Sequence, residues 1–207
     1  MSNALPRLIA ITDLTRWSPR HTIEVFRALA ENARPRSVAL QLRAPGGAAG
    51  QLLELGAVLA GIARAEEQWL IVNDRLDLAA LLEADAVHLG EASVSVVEAR
   101  ALLGARPVFR ACHEPRAVTG IGADALVLSP IAAARKGAPP LGVSALSLAA
   151  RRLADAGEPT RVYALGGVTP ESARECLAAG AAGVAAMAGI FGEPAPERWL
   201  DALALRR

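Results

Sequence analysis

Two stretches in the last quarter of the chain decide its architecture: Arg161-Val-Tyr-Ala-Leu-Gly-Gly-Val168 and Gly183-Val-Ala-Ala-Met-Ala-Gly-Ile-Phe191. Each begins as a short apolar run of strand composition. Each ends in a corner of glycine and alanine, small enough for backbone N–H groups to approach a ligand closely. Between them, 170–179 reads as one helix with Thr169 as N-cap, Pro170 at the first helical position and Gly180 as C-cap. Strand, glycine corner, helix, strand, glycine corner is how the last two units of a (β/α)8 barrel hold a phosphate. The expectation is a single (β/α)8 TIM barrel over residues 1–207, an enzyme that takes a phosphorylated small molecule.

Upstream, short apolar runs alternate with helical patterns. Strands are expected at 8–13, 37–43, 69–74, 86–90, 107–113, 125–131, 161–166 and 183–189. Amphipathic helices are expected at 22–32, 51–66, 94–103, 144–156 and 170–179. This alternation calls for a parallel sheet. A weak internal repeat agrees: 83–90, 122–129 and 180–187 each run from a helix end through a small turn into a strand. An open dinucleotide-binding sheet needs G-x-G-x-x-G after the first strand, where this chain has Ile11-Thr-Asp-Leu14.

Hydrophobic residues make up 53% of the 207 and aromatics only 3%, so the core must be built from Ala, Leu, Val and Ile. The net charge of +1, with no basic stripe interleaved with aromatics, argues against a nucleic-acid partner. No apolar run approaches the roughly 20 residues of a membrane span. The first residues lack a basic region followed by an apolar stretch, and Cys112 and Cys176 fit neither a CxxC pair nor a disulfide framework. A soluble, reduced, cytoplasmic protein is expected. Lys136 is the only lysine among 22 basic residues, which marks either a position where a compact ammonium is needed or a chance survivor.

In such a barrel the chemistry sits at the carboxyl ends of the strands. The polar residues falling there are Asp13, Gln41, Arg43, Asn73, Asp74, His88, Glu91, His113 and Ser129, followed by a loop with Arg135 and Lys136. Gln41 and Arg43 are two apart and share one strand face, as ligand contacts or as a salt bridge at the rim. Asp74 is an oxygen ligand for Mg²⁺, a partner of Arg75 or a helix cap. His88 reads as a hydrogen-bonded core histidine, and His21 as a solvated one. His113, at a strand end just before Glu114-Pro115, is placed to give and take a proton, or else serves a structural or ligand-orienting role.

These residues carry a family resemblance over nearly the whole chain. The motifs are Ile9-Ala-Ile-Thr-Asp13, Gln41-Leu-Arg43, Ile71-Val-Asn-Asp-Arg-Leu-Asp-Leu78, Asp85-Ala-Val-His-Leu-Gly90, Lys136-Gly137, Ala164-Leu-Gly-Gly-Val168 and Ala185-Ala-Met-Ala-Gly-Ile-Phe191. In this order they resemble the thiamine-phosphate synthase and thiazole tautomerase superfamily. The resemblance implies a thiazole phosphate held by backbone N–H groups of Gly166, Gly167, Ala188 and Gly189, with Gln41, Arg43, Asn73 and Lys136 as further substrate contacts.

Several synthase features are altered. Where synthases continue Gln-Leu-Arg with Glu-Lys, this chain has Ala44-Pro45; Ser93 stands at the second Mg²⁺-binding aspartate, and Ala132-Ala-Ala134 replaces loop threonines. Ala111 takes the place of a serine before His113. The resemblance then implies a tautomerase-like isomerase with His113 as acid/base group and no cofactor. The alternatives are a thiamine-phosphate synthase using Mg²⁺ at Asp74, or a non-catalytic phosphate-ligand binder. A homodimer is a further expectation, with Trp17, Trp69 and Trp199 as interface candidates.

Overall fold

The structure, a computed structural model, describes residues 4–134 and 137–207. Eight parallel strands close into a barrel in chain order. They are β1 (Leu8–Ile11), β2 (Val38–Leu42), β3 (Trp69–Asn73), β4 (Ala86–Leu89), β5 (Val108–Cys112), β6 (Ala125–Leu128), β7 (Arg161–Leu165) and β8 (Gly183–Ala186). The seam shuts where β8 lies against β1, with Val184 opposite Leu8. Helices α1 (Pro19–Asn32), α2 (Ala49–Ala65), α3 (Leu76–Leu81) and α4 (Val96–Leu103) follow the first four strands. Then α5 (Ser144–Asp155) follows β6, α6 (Pro170–Ala178) follows β7, and α7 (Ala188–Phe191) and α8 (Arg198–Ala202) both follow β8.

The barrel is thus as expected, but its helices are not shared one to a strand. Between β5 and β6 the chain runs through 113–124 without a helix, where Pro115 and the positive-φ residues Gly120 and Gly122 interrupt helical geometry. The strands also stop short of their expected ends. Arg43 spends its N–H on the Thr12 hydroxyl, and Asp74 has left the β region at φ 59°. Thr169 and Pro170 start α6 as expected, whereas Ala179 is the C-cap and Gly180, at φ 98°, follows it.

Both faces of every strand are covered, which explains the unbroken apolar runs. Along β1, Leu8 and Ala10 face the helices while Ile9 and Ile11 fill the barrel. Inside, the large Trp69, Phe109 and Tyr163 are set among Ala39, Ala86, Ala125 and Ala185, so a core poor in aromatics still fills its volume. Trp69 and Trp199 are 2% and 0% exposed, which removes them as interface residues. Trp199 donates its indole N–H to the Gly189 carbonyl at 2.7 Å and ties α8 to the end of β8. His21 is not merely solvated: its Nε2 lies 2.7 Å from the Phe191 carbonyl. No helix among the described residues is long and apolar enough to cross a membrane.

Toward the carboxyl ends the barrel interior turns polar. Buried Gln41 and His88 meet there, His88 Nδ1 lying 2.8 Å from Gln41 Oε1. Burial pulls the His88 pKa from its ordinary 6.5 down to about 4, with Arg43 and Arg110 acting in the same direction and Asp74 opposing them.

Two consequences are measurable. A Cβ at Gly183 would sit 2.6 Å from both the Arg7 carbonyl oxygen and Tyr163 Cε1. Gly183→Ala is expected to cost about 1–3 kcal/mol through overpacking at the barrel seam, read from urea unfolding; an unshifted midpoint would contradict that packing. His88 binds its proton less tightly folded than unfolded, so its neutral burial stabilises fully above about pH 6.5 and the gain is lost as pH falls to about 4. At about 1.4 kcal/mol per pKa unit the loss is on the order of 3 kcal/mol. His88→Gln should flatten this acid limb in melts between those pH values; an unchanged limb would show that His88 does not carry it.

Candidate active site

The two glycine corners are neighbours at the carboxyl mouth of the barrel. A Cβ at Gly189 would lie 3.4 Å from the Val168 carbonyl oxygen, so the bend after β7 touches the bend after β8. Gly166 and Gly167 both have positive φ, 97° and 74°. The loop after β6 is stitched onto this bend: Ile131 N–H donates to Leu165 O at 2.9 Å, and Ala132 N–H to Gly166 O at 2.7 Å. A Cβ at Gly167 would fall 2.5 Å from Ala133 Cβ. Close packing of that loop, as much as ligand approach, therefore excludes any side chain here.

The bend's carbonyl is used and its amides are not. The N–H groups of Gly166, Gly167, Val168, Ala188 and Gly189 donate to no described residue. Adjacent unspent N–H groups in a positive-φ turn form a concavity suited to an anion. After β8 the chain leaves the strand at Ala186, earlier than expected, and turns into α7 with Ile190 and Phe191 N–H on the Met187 carbonyl.

Around the mouth, the expected polar residues fall into three groups. His113 is fixed through Nδ1, 2.6 Å from the Ser129 carbonyl, with Nε2 3.8 Å from Glu91 Oε2. A cavity of about 330 Å³ lies beside this pair, lined by Glu91, Arg110, Ala111, His113 and Glu114. Arg43 stands at the end of β2, its backbone bracketed by the Thr12 hydroxyl at 2.8 Å on both N–H and carbonyl. Its guanidinium forms no ion pair among the described residues. Gln41 is not at a rim salt bridge; it is buried and donates to Asn73 Oδ1 at 2.7 Å. Lys136, with Arg135, lies outside the described residues.

Asp74 neither pairs with Arg75, which takes Asp77, nor caps α3. It accepts the Gly90 N–H at 2.8 Å, the Ser93 hydroxyl and, at 2.5 Å, the Asn73 amide. Three donors on one carboxylate leave little of its roughly four acceptor sites. Ser93 supplies a hydroxyl where a second carboxylate would be needed, and the described residues contain no cluster of three or more His, Cys, Asp or Glu able to hold a metal. With three donors on Asp74 and a hydroxyl at Ser93, these side chains do not by themselves make a protein-held Mg²⁺ site, and in this structure Asp74 is a hydrogen-bonded anchor. Sequence reading missed Thr12 and the Ser93–Asp74 contact, because each joins strand ends that are neighbours only in space.

A cavity of about 780 Å³ lies at the opposite end, lined by Arg100, Asp124, Glu158 and Tyr163 among others. Arg100 is paired there with Asp124, and the Tyr163 hydroxyl donates to Pro6 O. Size does not make it the site, because in these barrels the amino-terminal face serves stability.

A family model described as thiamine monophosphate synthase matches residues 8–190. A thiamine-phosphate synthase of Anaeromyxobacter dehalogenans is 37% identical, over 77% of this chain and 72% of that relative. One of Thermus thermophilus is 34% identical, over 94% and 93%. The solved thiamine phosphate pyrophosphorylase of Pyrococcus furiosus superposes with a TM-score of 0.82 at 23% identity, covering 96% of this chain and 95% of that one, and supports the fold. These relatives carry the synthase name, so the expected preference for an isomerase is not supported and the synthase alternative is favoured. The matched span, with the barrel and its paired bends, shows that the chain belongs to the thiamine monophosphate synthase family.

Proposed function

We propose that this chain is a cytoplasmic transferase of the thiamine-phosphate synthase type, joining a pyrimidine carrying a diphosphate to a thiazole phosphate. The observation that carries the reading is the set of unspent amides on the two touching bends, in a chain whose relatives are synthases. The thiazole phosphate would lie on Gly166, Gly167, Ala188 and Gly189. In the coupling step the thiazole ring nitrogen bonds to the pyrimidine methylene carbon as the C–O bond breaks and the diphosphate leaves with the electron pair. Charge developing on that group calls for positioned donors. Arg43, unpaired among the described residues, is assigned to it, with Lys136 as the second cation proposed for this role.

A second reading, a phosphate-ligand binder that does not couple, is favoured by Ser93, a hydroxyl where the resemblance implies a carboxylate, and by Ala132-Ala-Ala134, which offer no side-chain donors to the mouth.

Coupling moves no proton at the new bond, so His113 positions the end of β6 through the Ser129 carbonyl instead of acting as acid or base. The chain should restore growth of a thiamine-requiring, synthase-null strain and release pyrophosphate from the two purified substrates. His113→Ala should keep its rate within about tenfold, since losing a general acid–base typically costs 10²–10⁴-fold. Failure to rescue, with thiazole phosphate still bound in calorimetry, would establish the non-coupling reading. A loss beyond a hundredfold in His113→Ala would put a proton transfer back into the mechanism.

A further inference from the structure

We propose that Asp74 is the anionic anchor of a directional hydrogen-bond chain that sets which nitrogen of His88 carries the proton. The chain runs from the rim into the barrel through residues of two further strands. A carboxylate only accepts, so Asn73 must turn its NH₂ outward to Asp74 Oδ2, 2.5 Å away. Its Oδ1 then faces inward and takes the Gln41 NH₂ at 2.7 Å. Gln41 is left presenting Oε1 to His88 Nδ1 at 2.8 Å, so Nδ1 bears the hydrogen. His88 Nε2 is consequently a bare acceptor, and it has no partner among the described residues although it is buried.

The reverse direction is closed. Turning Asn73 over would set its oxygen against the Asp74 carboxylate and its N–H against the Gln41 N–H, and turning Gln41 over would set its oxygen against Asn73 Oδ1. Asp74 itself is held from the other side by Gly90 N–H and the Ser93 hydroxyl, at a φ of 59° that non-glycine residues seldom adopt. Ser93 thus serves the anchor. His88 sits on the inward face of β4, beside Ala86 in the barrel interior and across from Asn73. Asp74 is a positioning residue in this scheme, acting at three links' distance. The inference holds with or without the transferase reading, because no ligand enters it.

The test is two-bond ¹H–¹⁵N correlation on histidine-labelled protein, which reports tautomers directly. Wild type should show His88 protonated on Nδ1 alone. Asp74→Ala should populate the other tautomer, and Ser93→Ala should not, because Gly90 still holds the carboxylate. Asn73→Ala breaks the next link and should reproduce the Asp74→Ala result if that variant fails to fold. Millimolar Mg²⁺ should leave the Asn73 side-chain amide signal of wild type in place. An Nε2-protonated His88 in wild type, a sole Nδ1 tautomer surviving in both Asp74→Ala and Asn73→Ala, or a saturable Mg²⁺ shift of the Asn73 amide would each overturn the proposal. None of these outcomes bears on complementation, so the two readings fail separately.

Discussion

The carbonyl of Gly166 accepts two N–H groups, from Ala132 at 2.7 Å and from Ala133 at 3.3 Å, and the mouth of this barrel depends on that contact. It presses the loop after β6 onto the bend after β7 so tightly that a Cβ at Gly167 would clash with Ala133 and one at Gly166 would crowd Pro130, and it consumes the bend's acceptor while leaving its donors unspent. An excess of N–H over C=O at one place is a local positive potential without a positive side chain. The bend after β8 adds Ala188 and Gly189 to the same place, held there by the indole of the buried Trp199. An anion site of this kind needs few conserved side-chain types, and a chain rich in alanine can keep it.

That economy contrasts with the other side of the mouth. There a carboxylate, two amides and an imidazole are linked through Asp74, Asn73, Gln41 and His88. Low dielectric strengthens such a chain and makes each orphaned member costly. Ser93 supplies a hydroxyl donor that settles Asp74. The mouth of the barrel therefore presents unspent amides on one side, Arg43 at the rim and a neutral His88 within.

Much of this was legible in the residues. The eight strands follow from runs such as Leu8–Ile11 and Ala125–Leu128, apolar on both faces because helices cover one face and the barrel interior the other. The α6 start was written in Thr169-Pro170. Pairings across strands were not. Gln41 meets Asn73 32 residues on and His88 47 residues on, and the period-two pattern says only that each faces inward. The short helix α3 and the single turn of α7 were missed for a related reason, since short segments carry too little periodicity to declare themselves. Trp69 and Trp199 look like surface anchors in sequence, yet closure of the barrel and the docking of α8 bury both.

The central claim is that the two touching bends form one amide nest for a phosphate. Amide chemical shifts of ¹⁵N-labelled protein, titrated with thiazole phosphate and, separately, with the unphosphorylated thiazole alcohol, test it most directly. The phosphate should move the Gly166, Gly167, Val168, Ala188 and Gly189 signals together on one saturation curve, while the alcohol leaves them nearly still. Shifts confined to one bend, or gathered instead at the amino-terminal cavity around Arg100 and Tyr163, would contradict it.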